Sequence, residues 1–556
     1  MAQKNIIHIV VDAVRYYDSQ QDERDKLKYY EKLRQQDDFI CFEKMIVSAP
    51  SSVMSAITMF TGVHSYHLAR NYNDFKMEPE LYHTIVETVK DAGYNAYGVF
   101  NTREMREKFR CLFEYTPTAY LPKHAKLHQH KWLNTDLNHI TENMINAGCF
   151  NHRPFYLMLW YNSRWDPKAT DTVEEMMRIL ASQPFYDDTL IMLSADHGYP
   201  DQRRGLTSDG PDLKKAGLRH DCILTDDNVC VPFCIKFPKE QMPALDQNQR
   251  DRLYQTPISQ QTILPTQLRS LGLSLNKSKR FEPKGDDLFS LINGQEYEKW
   301  EEKISRSDAR FIFQPDRISS LRDSTHKYIY SHESKTELFY DLKQDDFEEH
   351  DLSHDPDYED TISRYRQVFI DQENEYLQAW HEIIHQNLEA KLKANRQFQE
   401  IVSQFDSLNL VFSGKSIFIV PLWRYFSSVF HQCNIIVTQP NMAKTIKTYL
   451  PEAKVLKQGD EDLQNNTIII IDDLRDYELL LQTQQVRVNS PLIIDIYFNV
   501  HNSLRKVVWS AKKRSILSPF ISMSIRRELY YKEPMTFFLD IRRLIFNRFL
   551  SKNPGA

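Results

Sequence analysis

Short apolar, β-rich runs separated by helix-like stretches constrain the fold of this chain most strongly. Strands buried in parallel sheets are continuous apolar runs, and strands that alternate with helices form α/β sandwiches. The stretch 81–92, which precedes the turn at Gly93, is one of the helix-like segments. We therefore predict a mostly parallel sheet sandwiched by helices. Its strands include 5–11 (NIIHIVV), 155–160 (FYLMLW), 189–194 (TLIMLS) and 231–236 (VPFCIK).

A second α/β pattern begins near residue 410 and predicts a small Rossmann-like domain. Its predicted strands are 416–420, 434–438, 467–471 and 491–498. The polar stretch 357–400 has spaced apolar residues, which is typical of a long amphipathic helix. A chain of 556 residues has room for about two to four domains. We predict an α/β domain at 1–356, a helical connector at 357–405, and a small α/β domain with a basic C-terminal tail at 406–556.

Composition excludes several classes of protein. Hydrophobic residues make up 41% and charged residues 26%, as in ordinary soluble globular proteins. A net charge of -6 gives no reason to expect a nucleic-acid partner. We find neither an apolar run of transmembrane length nor a secretory signal. The seven cysteines show no metal-binding or paired spacing, so we expect reduced thiols and a cytoplasmic location.

Asp12 ends the first apolar run, in the segment IVVDAVR. Ligands bind open α/β sheets at the carboxyl ends of the strands. A carboxylate that emerges from a buried strand needs compensation, which a metal ion would provide. A helix-capping aspartate is the alternative interpretation.

The segment 48–62 (SAPSSVMSAITMFTG) places Ser51, Ser52 and Ser55 at the predicted start of a helix. Backbone N–H groups and the helix dipole favour an anion there. A serine in that place can attack phosphorus or sulfur if a bound cation lowers its pKa. A plain helix-capping serine is the commoner reading.

Asp196 and His197 follow another buried strand, in LSADHGY. Adjacent carboxylate and imidazole groups form a plausible metal pair that suits Zn²⁺ or Mn²⁺ better than Ca²⁺. Gly198 would permit a close approach of the backbone. His220 lies in a predicted loop, where a single histidine is usually just a polar surface residue. It becomes a candidate site residue only because the other motifs accompany it in the sequence.

Taken in order, these segments resemble the alkaline phosphatase/sulfatase superfamily. Asp12 with Arg15 resembles its first metal aspartate, and 48–62 its nucleophile segment, with Ser52 as the nucleophile. Asp196-His197-Gly198 resembles its Asp-His-Gly metal motif. The resemblance extends over about 5–356. The other matching segments are 91–99, the stretch from His220 through Leu224, Asp227, Val231 and Pro232, the helix at 257–268, and the closing hairpin at 317–342.

Departures from the superfamily patterns narrow the implied chemistry. Formylglycine sulfatases need a proline and an arginine after the modified residue, which Ser52 lacks, so formylglycine is not expected. Those sulfatases carry a second aspartate beside the first metal aspartate, and this chain has Ala13 there. The lysine of their Gly-Lys-Trp-His-Leu-Gly segment has no counterpart near Asn101. Two-zinc phosphatases carry further ligands where this chain has Ser163-Arg164-Trp165. Asp12, Ser52, Asp196 and His197 around one metal are what remains. This set resembles the site of the single-metal lipoteichoic acid synthases and phosphoethanolamine transferases.

The resemblance implies a metal-dependent phosphoester hydrolase or phosphotransferase with a covalent Ser52 intermediate. One divalent metal, Mn or Zn rather than Mg or Ca, would be held by Asp12, Ser52, Asp196 and His197. His220 would act on the transferring oxygens or as general acid, and Arg164 as an oxyanion clamp. The substrate would be a phosphate or sulfate ester, with glycan- and lipid-linked esters both open. The alternatives are a sulfatase that uses unmodified serine and a non-catalytic binding module.

The C-terminal part is less informative. Ser413-Gly414-Lys415-Ser416 resembles part of a P-loop, but Asn409 stands where the upstream glycine is required. Asp472-Asp473 is either a metal pair or a strand-end turn. The basic tail, from residue 500 on, is either a packed helix or a peripheral membrane contact. By analogy we assign the domain to partner or glycan recognition, consistent with surface-glycan modification.

Overall fold

The computed structural model describes most of residues 4–394 and part of 407–495, and the chain divides into two units, Met1–Ala379 and Trp380–Ala556. The gaps in the first stretch are 18–20, 65–80, 110, 114–119, 122–131, 152–153, 164–165, 167, 201–222, 276–278, 280, 295–296, 310–317 and 333. The gaps in the second are 413–422, 425, 429, 431, 438–442, 444–445, 448–449, 458–466 and 472–491. The predicted domain boundaries at 356 and 405 stay a prediction.

The first unit contains a seven-stranded sheet in the order β3-β4-β1-β5-β6-β2-β7. Only β6 runs against its neighbours β5 and β2, so the sheet is mostly parallel, as predicted. The strands are β1 (Asn5–Asp12), β2 (Ile40–Ile46), β3 (Asn95–Phe100), β4 (Phe155–Asn162), β5 (Thr189–Ala195), β6 (Cys230–Lys236) and β7 (Ile258–Ser259).

Helices connect and flank these strands, which confirms the α/β class. They are α1 (Gln21–Arg34), α2 (Ser52–Thr61), α3 (Ile85–Asp91), α4 (Arg103–Phe109), α5 (Asn134–Asn146), α6 (Ala169–Ala181), α7 (Asp226–Val229), α8 (Gln247–Gln255), α9 (Ile263–Leu271), α10 (Phe289–Ile292), α11 (Tyr297–Glu301) and α12 (Glu359–Ala394). The predicted helix at 81–92 corresponds to α3.

Strand β1 lies near the middle of the sheet, parallel to β4 on one side and to β5 on the other. Its residues from Asn5 to Val11 are all buried, and every residue of β4 and β5 is buried as well. Strands covered on both faces gain from apolar side chains at every position, which is why these runs are continuous. The four runs singled out from the sequence are all strands of this sheet.

Strands β2 and β6 carry a disulfide between Cys41 and Cys234, which are paired residues of neighbouring strands. The expectation that all cysteines are reduced is therefore wrong for this pair. The two residues are 193 positions apart, so only the strand order brings them together. Among the described cysteines, Cys111, Cys149, Cys230 and Cys433 are free.

A four-stranded antiparallel sheet, in the order β11-β10-β9-β8, follows in the first unit. It consists of β8 (Ser305–Ala309), β9 (Ile318–Arg322), β10 (His326–Ser331) and β11 (Glu337–Asp341). The predicted hairpin at 317–342 is thus three strands of this sheet. Helix α12 covers it through one apolar cluster. That cluster comprises Leu321, Tyr328, Phe339, Ile362, Tyr365 and Phe369.

The second unit contains a parallel five-stranded sheet in the order β14-β13-β12-β15-β16. Strand order reverses on either side of β12, which is the Rossmann-like arrangement predicted from the sequence. Its first strand precedes the predicted 416–420, which lies outside the described residues. The strands are β12 (Ser407–Phe412), β13 (Gln432–Val437), β14 (Lys454–Lys457), β15 (Thr467–Ile471) and β16 (Leu492–Asp495).

Several sequence predictions for the C-terminal part lie outside the described residues. They concern Ser413-Gly414-Lys415-Ser416, Asp472-Asp473 and the basic tail. Across the portion of the chain that is described, no helix combines the length and apolar character needed to span a bilayer.

Candidate metal and nucleophile site

Three neighbouring strands end at one edge of the large sheet with a polar residue. Asp12 is the last residue of β1, Asn162 is the last residue of β4, and Asp196 follows β5 directly. Because these strands are parallel and adjacent, their carboxyl ends meet at the same edge, which is where ligands bind in such folds. The register places Asp12 opposite Asn162.

The Asp196 carboxylate is fully buried, and its two oxygens have different surroundings. Oδ1 accepts hydrogen bonds from the backbone N–H groups of Ala13 and His197, both at 2.9 Å. Oδ2 makes no hydrogen bond. A buried carboxylate oxygen without a partner is costly, and a bound cation is the usual compensation. This orphaned oxygen therefore fits a metal ligand.

The His197 ring is oriented by a hydrogen bond to the backbone of the next residue, Gly198. Nδ1 lies 2.6 Å from the Gly198 carbonyl oxygen, which can only accept, so Nδ1 carries the proton. Nε2 then presents a lone pair, the form in which imidazole binds metals. Nε2 lies 3.5 Å from Asp196 Oδ2 and 3.8 Å from Asp12 Oδ1.

These three side chains form a candidate metal cluster. One ligand atom from each of Asp12, Asp196 and His197 lies within 4.8 Å of the other two. The donors are one imidazole nitrogen and carboxylate oxygens, a set that suits Zn²⁺ or Mn²⁺. The residues present therefore fit the single divalent cation that the sequence predicted, and which metal is bound stays a prediction.

Ser52 is the first residue of α2, and its Oγ lies 3.3 Å from His197 Nε2. The helix cap is the preceding Ser51, whose backbone is extended and whose side chain makes no capping hydrogen bond. The start of α2 thus lies beside the cluster, and an anion that binds at a helix start gains from its N–H groups. The helix is fixed to the end of β5 by Ser55 Oγ, which donates to the Asp196 carbonyl oxygen.

Gly198 has no room for a side chain. A Cβ at this position would lie 2.1 Å from the Asp227 carbonyl oxygen. The same stretch is tied by hydrogen bonds from Gly198 N to Asn228 O and from Tyr199 N to Asp227 O. The close backbone approach predicted for this glycine is confirmed, and α7 clamps the loop that carries Asp196 and His197.

Helix α7 is held in turn by a second buried group of charged residues, which we call the ionic cluster. Its members are Asp226, Arg322, Lys327 and Glu348. Arg322 Nε donates to the Asp226 carboxylate at 2.9 Å, and Lys327 Nζ lies 2.9 Å from Asp226 and 2.6 Å from Glu348. Burial alone would raise the pKa of Asp226, yet the two cations hold it well below its usual value. Burial opposes the charge of Lys327 too, but the carboxylates raise its pKa to about 12.

Ala13 occupies the place where sulfatases of the superfamily carry a second aspartate. Its φ is 61°, a left-handed conformation that is strained for alanine by roughly 1–3 kcal/mol. The strain turns its N–H towards Asp196 Oδ1. The backbone thus contributes a hydrogen-bond donor at this position, while the side chain contributes no ligand.

Asn162 is the site residue that the sequence analysis missed. Its Nδ2 donates to Asp12 Oδ2 at 2.8 Å, and its side chain is buried. The polar residue that ends the run FYLMLWYN was the available signal.

Arg15, which completes the Asp-x-x-Arg pattern with Asp12, is buried. Its guanidinium carbon lies 4.8 Å from the centre of the Tyr199 ring and 5.5 Å from that of Tyr17. His220 and Arg164, the other two predicted site residues, lie outside the described residues. Their roles stay predictions.

Comparison with solved structures confirms the predicted fold. A 2-O GAG sulfatase superposes with a TM-score of 0.50 at 15% identity, covering 67% of this chain and 92% of the other. The yidJ protein of Bacteroides fragilis, which is named as a sulfatase, superposes with a TM-score of 0.50 at 14% identity, covering 68% and 96%. At such identities the likeness shows the fold alone: this chain has the fold of the alkaline phosphatase/sulfatase superfamily.

A phosphonate monoester hydrolase of Agrobacterium radiobacter also matches, with a TM-score of 0.46 at 14% identity over 67% of this chain and 96% of the other. No protein-family model matches the sequence, and no curated protein matches it.

Proposed function

We propose that this chain is a metal-dependent phosphoester hydrolase or phosphotransferase that acts through a covalent intermediate on Ser52. One observation carries the proposal: Ser52 Oγ lies 3.3 Å from His197 Nε2, beside two carboxylates of which one has a buried oxygen without a hydrogen bond. A nucleophile at a helix start and a cation site are the two parts that such a reaction requires.

A divalent cation bound at the cluster would lower the pKa of the Ser52 hydroxyl and neutralise a non-bridging oxygen of the substrate. Ser52 loses its hydroxyl proton to solvent and its Oγ attacks phosphorus in line, so that the Oγ–P bond forms as the bond to the leaving oxygen breaks. Water or an acceptor hydroxyl afterwards attacks phosphorus and releases Ser52. His220 as proton donor to the leaving oxygen and Arg164 as a clamp on the equatorial oxygens complete the proposal.

The residues around Ser52 favour a phosphate ester over a sulfate ester as the substrate. The cluster draws on Asp12, Asp196 and His197, and Ala13 adds no further carboxylate. Val53, Met54 and Ser55 follow Ser52, so the proline and arginine of formylglycine sites are missing. Sulfate esters, including glycan-linked ones, nevertheless belong in the test, because the superposed structures are named as sulfatases.

Turnover of chromogenic phosphate monoesters, phosphate diesters and sulfate esters tests the proposal. Metal-stripped protein is refilled with Mn²⁺, Zn²⁺, Mg²⁺ or Ca²⁺, and Ser52→Ala is compared with Ser51→Ala. Ser51 is the matched control, because its buried hydroxyl makes no hydrogen bond. We expect Ser52→Ala to lower kcat on the order of 10³-fold or more, and Ser51→Ala to leave it nearly unchanged.

Acid quenching during turnover of a diester should leave the phosphoryl group, still esterified to the alcohol that does not depart, on the peptide that contains Ser52, as detected by mass spectrometry. Added acceptor alcohols then distinguish transfer from hydrolysis by their products. A folded, metal-loaded protein that neither turns over nor becomes labelled, with acceptors present, would contradict the proposal and favour a binding module.

A further inference from the structure

Asp12 and Asp196 are held in the same way, although by different donors. Each carboxylate has one oxygen that accepts N–H hydrogen bonds. For Asp196 the donors are backbone groups, at 2.9 Å, and for Asp12 the donor is the side-chain amide of Asn162, at 2.8 Å. In both residues the other oxygen is directed towards His197 Nε2. Asn162 therefore sets which oxygen of Asp12 points into the cluster.

The backbone of Asn162, which carries this side chain, is itself fixed from two sides. Its backbone N–H donates to Asn134 Oδ1 at 3.0 Å, and its carbonyl accepts from Asn134 Nδ2 at 2.9 Å. Asn134 also donates to Asp166 at 3.0 Å, which fixes the Asn134 amide in turn. Because a carboxylate only accepts, the Asn162 atom that faces Asp12 must be the NH₂ group.

An NH₂ group at Asp12 Oδ2 opposes a second cation at that oxygen. A pair of metal ions about 3.5–4 Å apart is usually held by a carboxylate that offers one oxygen to each ion. Here a second ion would have to displace the positively polarised amide hydrogens. It would also gain no charge from the uncharged side chain of Asn162.

We infer that Asn162 is a positioning residue that limits the cluster of Asp12, Asp196 and His197 to a single divalent cation. The inference rests on the metal site of the proposed function. It assigns to one uncharged side chain both the orientation of Asp12 and the number of ions bound.

Substitution of Asn162 leaves the backbone of the site supported. Ser163 N donates to the Asp12 carbonyl oxygen at 3.3 Å, and Ser163 Oγ donates to the Ala13 carbonyl oxygen at 3.1 Å. Three variants of the full chain separate the possibilities. Asn162→Asp adds a carboxylate beside Asp12, Asn162→Leu removes the hydrogen bond at similar volume, and Asn5→Asp adds the same charge at the opposite end of β1.

The experiment measures Mn²⁺ bound per chain by equilibrium dialysis, and the electron paramagnetic resonance spectrum of the bound ion. We expect one equivalent in the wild type and in Asn5→Asp, with the six-line spectrum of isolated Mn²⁺. Asn162→Asp should bind two equivalents with an exchange-coupled spectrum. Asn162→Leu should bind one equivalent with affinity lowered about 10–100-fold, as for other residues that orient a ligand.

The outcomes separate this inference from the proposed function. A single equivalent in Asn162→Asp, or unchanged affinity in Asn162→Leu, would overturn the inference and leave the metal site standing. Two equivalents in the wild type would also overturn the inference alone. A wild type that binds no cation would overturn both. If Asn162→Asp does not fold, the affinity of Asn162→Leu still decides the positioning role.

Discussion

Two buried groups of charged residues in the first unit have their charges compensated in opposite ways. The ionic cluster pairs two carboxylates with Arg322 and Lys327, so its charges balance within the chain. The candidate metal cluster of Asp12, Asp196 and His197 brings two carboxylates to one imidazole and leaves Asp196 Oδ2 without a hydrogen bond. Asp196 and Asp226 are both buried, but among the described residues only Asp226 has arginine and lysine side chains within ion-pair distance.

This difference separates a structural role from a binding role. Breaking a compensated pair leaves an unpaired buried charge, which is strongly destabilising. Removing a charge from an uncompensated group should relieve the folded protein when no cation is present. The sign of the stability change therefore reports which of the two roles a buried carboxylate has.

The largest effect is expected at the ionic cluster. Asp226→Asn removes the carboxylate that pairs with both Arg322 and Lys327, and it should lower the free energy of unfolding by about 3–5 kcal/mol. Denaturant melts with and without divalent metal measure this loss, which should be the same in both. Asp287→Asn, which removes an exposed pair with Arg269, is the control and should cost no more than about 1 kcal/mol.

The ionic cluster should also set the pH limits of its own contribution. Because the pKa of Asp226 is lowered by folding, its stabilisation is present at neutral pH and is lost as the pH falls below the usual aspartate value. The pKa of Lys327 is raised to about 12, so its stabilisation is lost as the pH rises from 10.5 towards 12. A wild type and an Asp226→Asn variant with parallel pH–stability curves would contradict this assignment.

An intermediate effect is expected when metal is added. At free metal 100 times the dissociation constant, binding should stabilise the wild type by about 2.7 kcal/mol. Asp196→Asn should abolish this increase, because its amide replaces the orphaned oxygen. The metal-free variant should be more stable than the metal-free wild type by roughly 1–3 kcal/mol, since a buried unpaired charge is removed.

Thermal melts of both proteins with and without Zn²⁺ or Mn²⁺ give these differences. Destabilisation of the metal-free protein by Asp196→Asn, to the extent expected for Asp226→Asn, would show that the two clusters do not differ in kind.

The smallest effect concerns His8, a buried group on the same strand as Asp12 that stays neutral. Burial lowers its pKa to about 3, and its Nε2 pairs with Ser194 Oγ at 3.0 Å. Below pH 6.5 the unfolded chain takes up a proton at His8 and the folded chain does not. The free energy of unfolding therefore decreases as the pH is lowered. Between pH 6.5 and 5.0 the loss should be about 2 kcal/mol.

Melts of the wild type and His8→Val across this pH range measure the loss. The variant should show a shallower decline, whatever its stability at neutral pH. Equal slopes would mean that His8 becomes protonated without unfolding.

The sequence predicted those parts of the site that are fixed by single strands. Asp12 and the Asp196-His197 pair stand where apolar runs end, and Ser52 stands where a helix begins, so local patterns suffice. The role of Asn162 depends on the register that pairs it with Asp12, and strand register is not visible in a run of apolar letters. The ionic cluster is not visible in the sequence for the same reason, since its four charges come from α7, β9, β10 and the segment after β11.

Strand β2 illustrates the remaining limit of prediction. Its sequence, ICFEKMI, contains Glu43 and Lys44, and the pairing with β6 shifts register between Phe42 and Met45. An irregular strand interrupted by charges does not read as a buried run. The Cys41–Cys234 disulfide could not be anticipated without this strand and its neighbour. In the second unit, β12 (Ser407–Phe412) is less apolar than the run 416–420, so apolar character alone does not identify it as a strand.

The position of β1 between β4 and β5 has a consequence for synthesis of the protein. Asp12 meets Asn162 across a separation of 150 residues, and Ala13 meets Asp196 across 183. At about 5–20 residues per second, a ribosome needs roughly 8–30 s to make the shorter of these stretches. Throughout that interval the nascent chain exposes an apolar strand that has no partner to pair with. The arrangement that places the candidate site at strands in the middle of the sheet therefore leaves the first strand exposed to chaperone binding during translation.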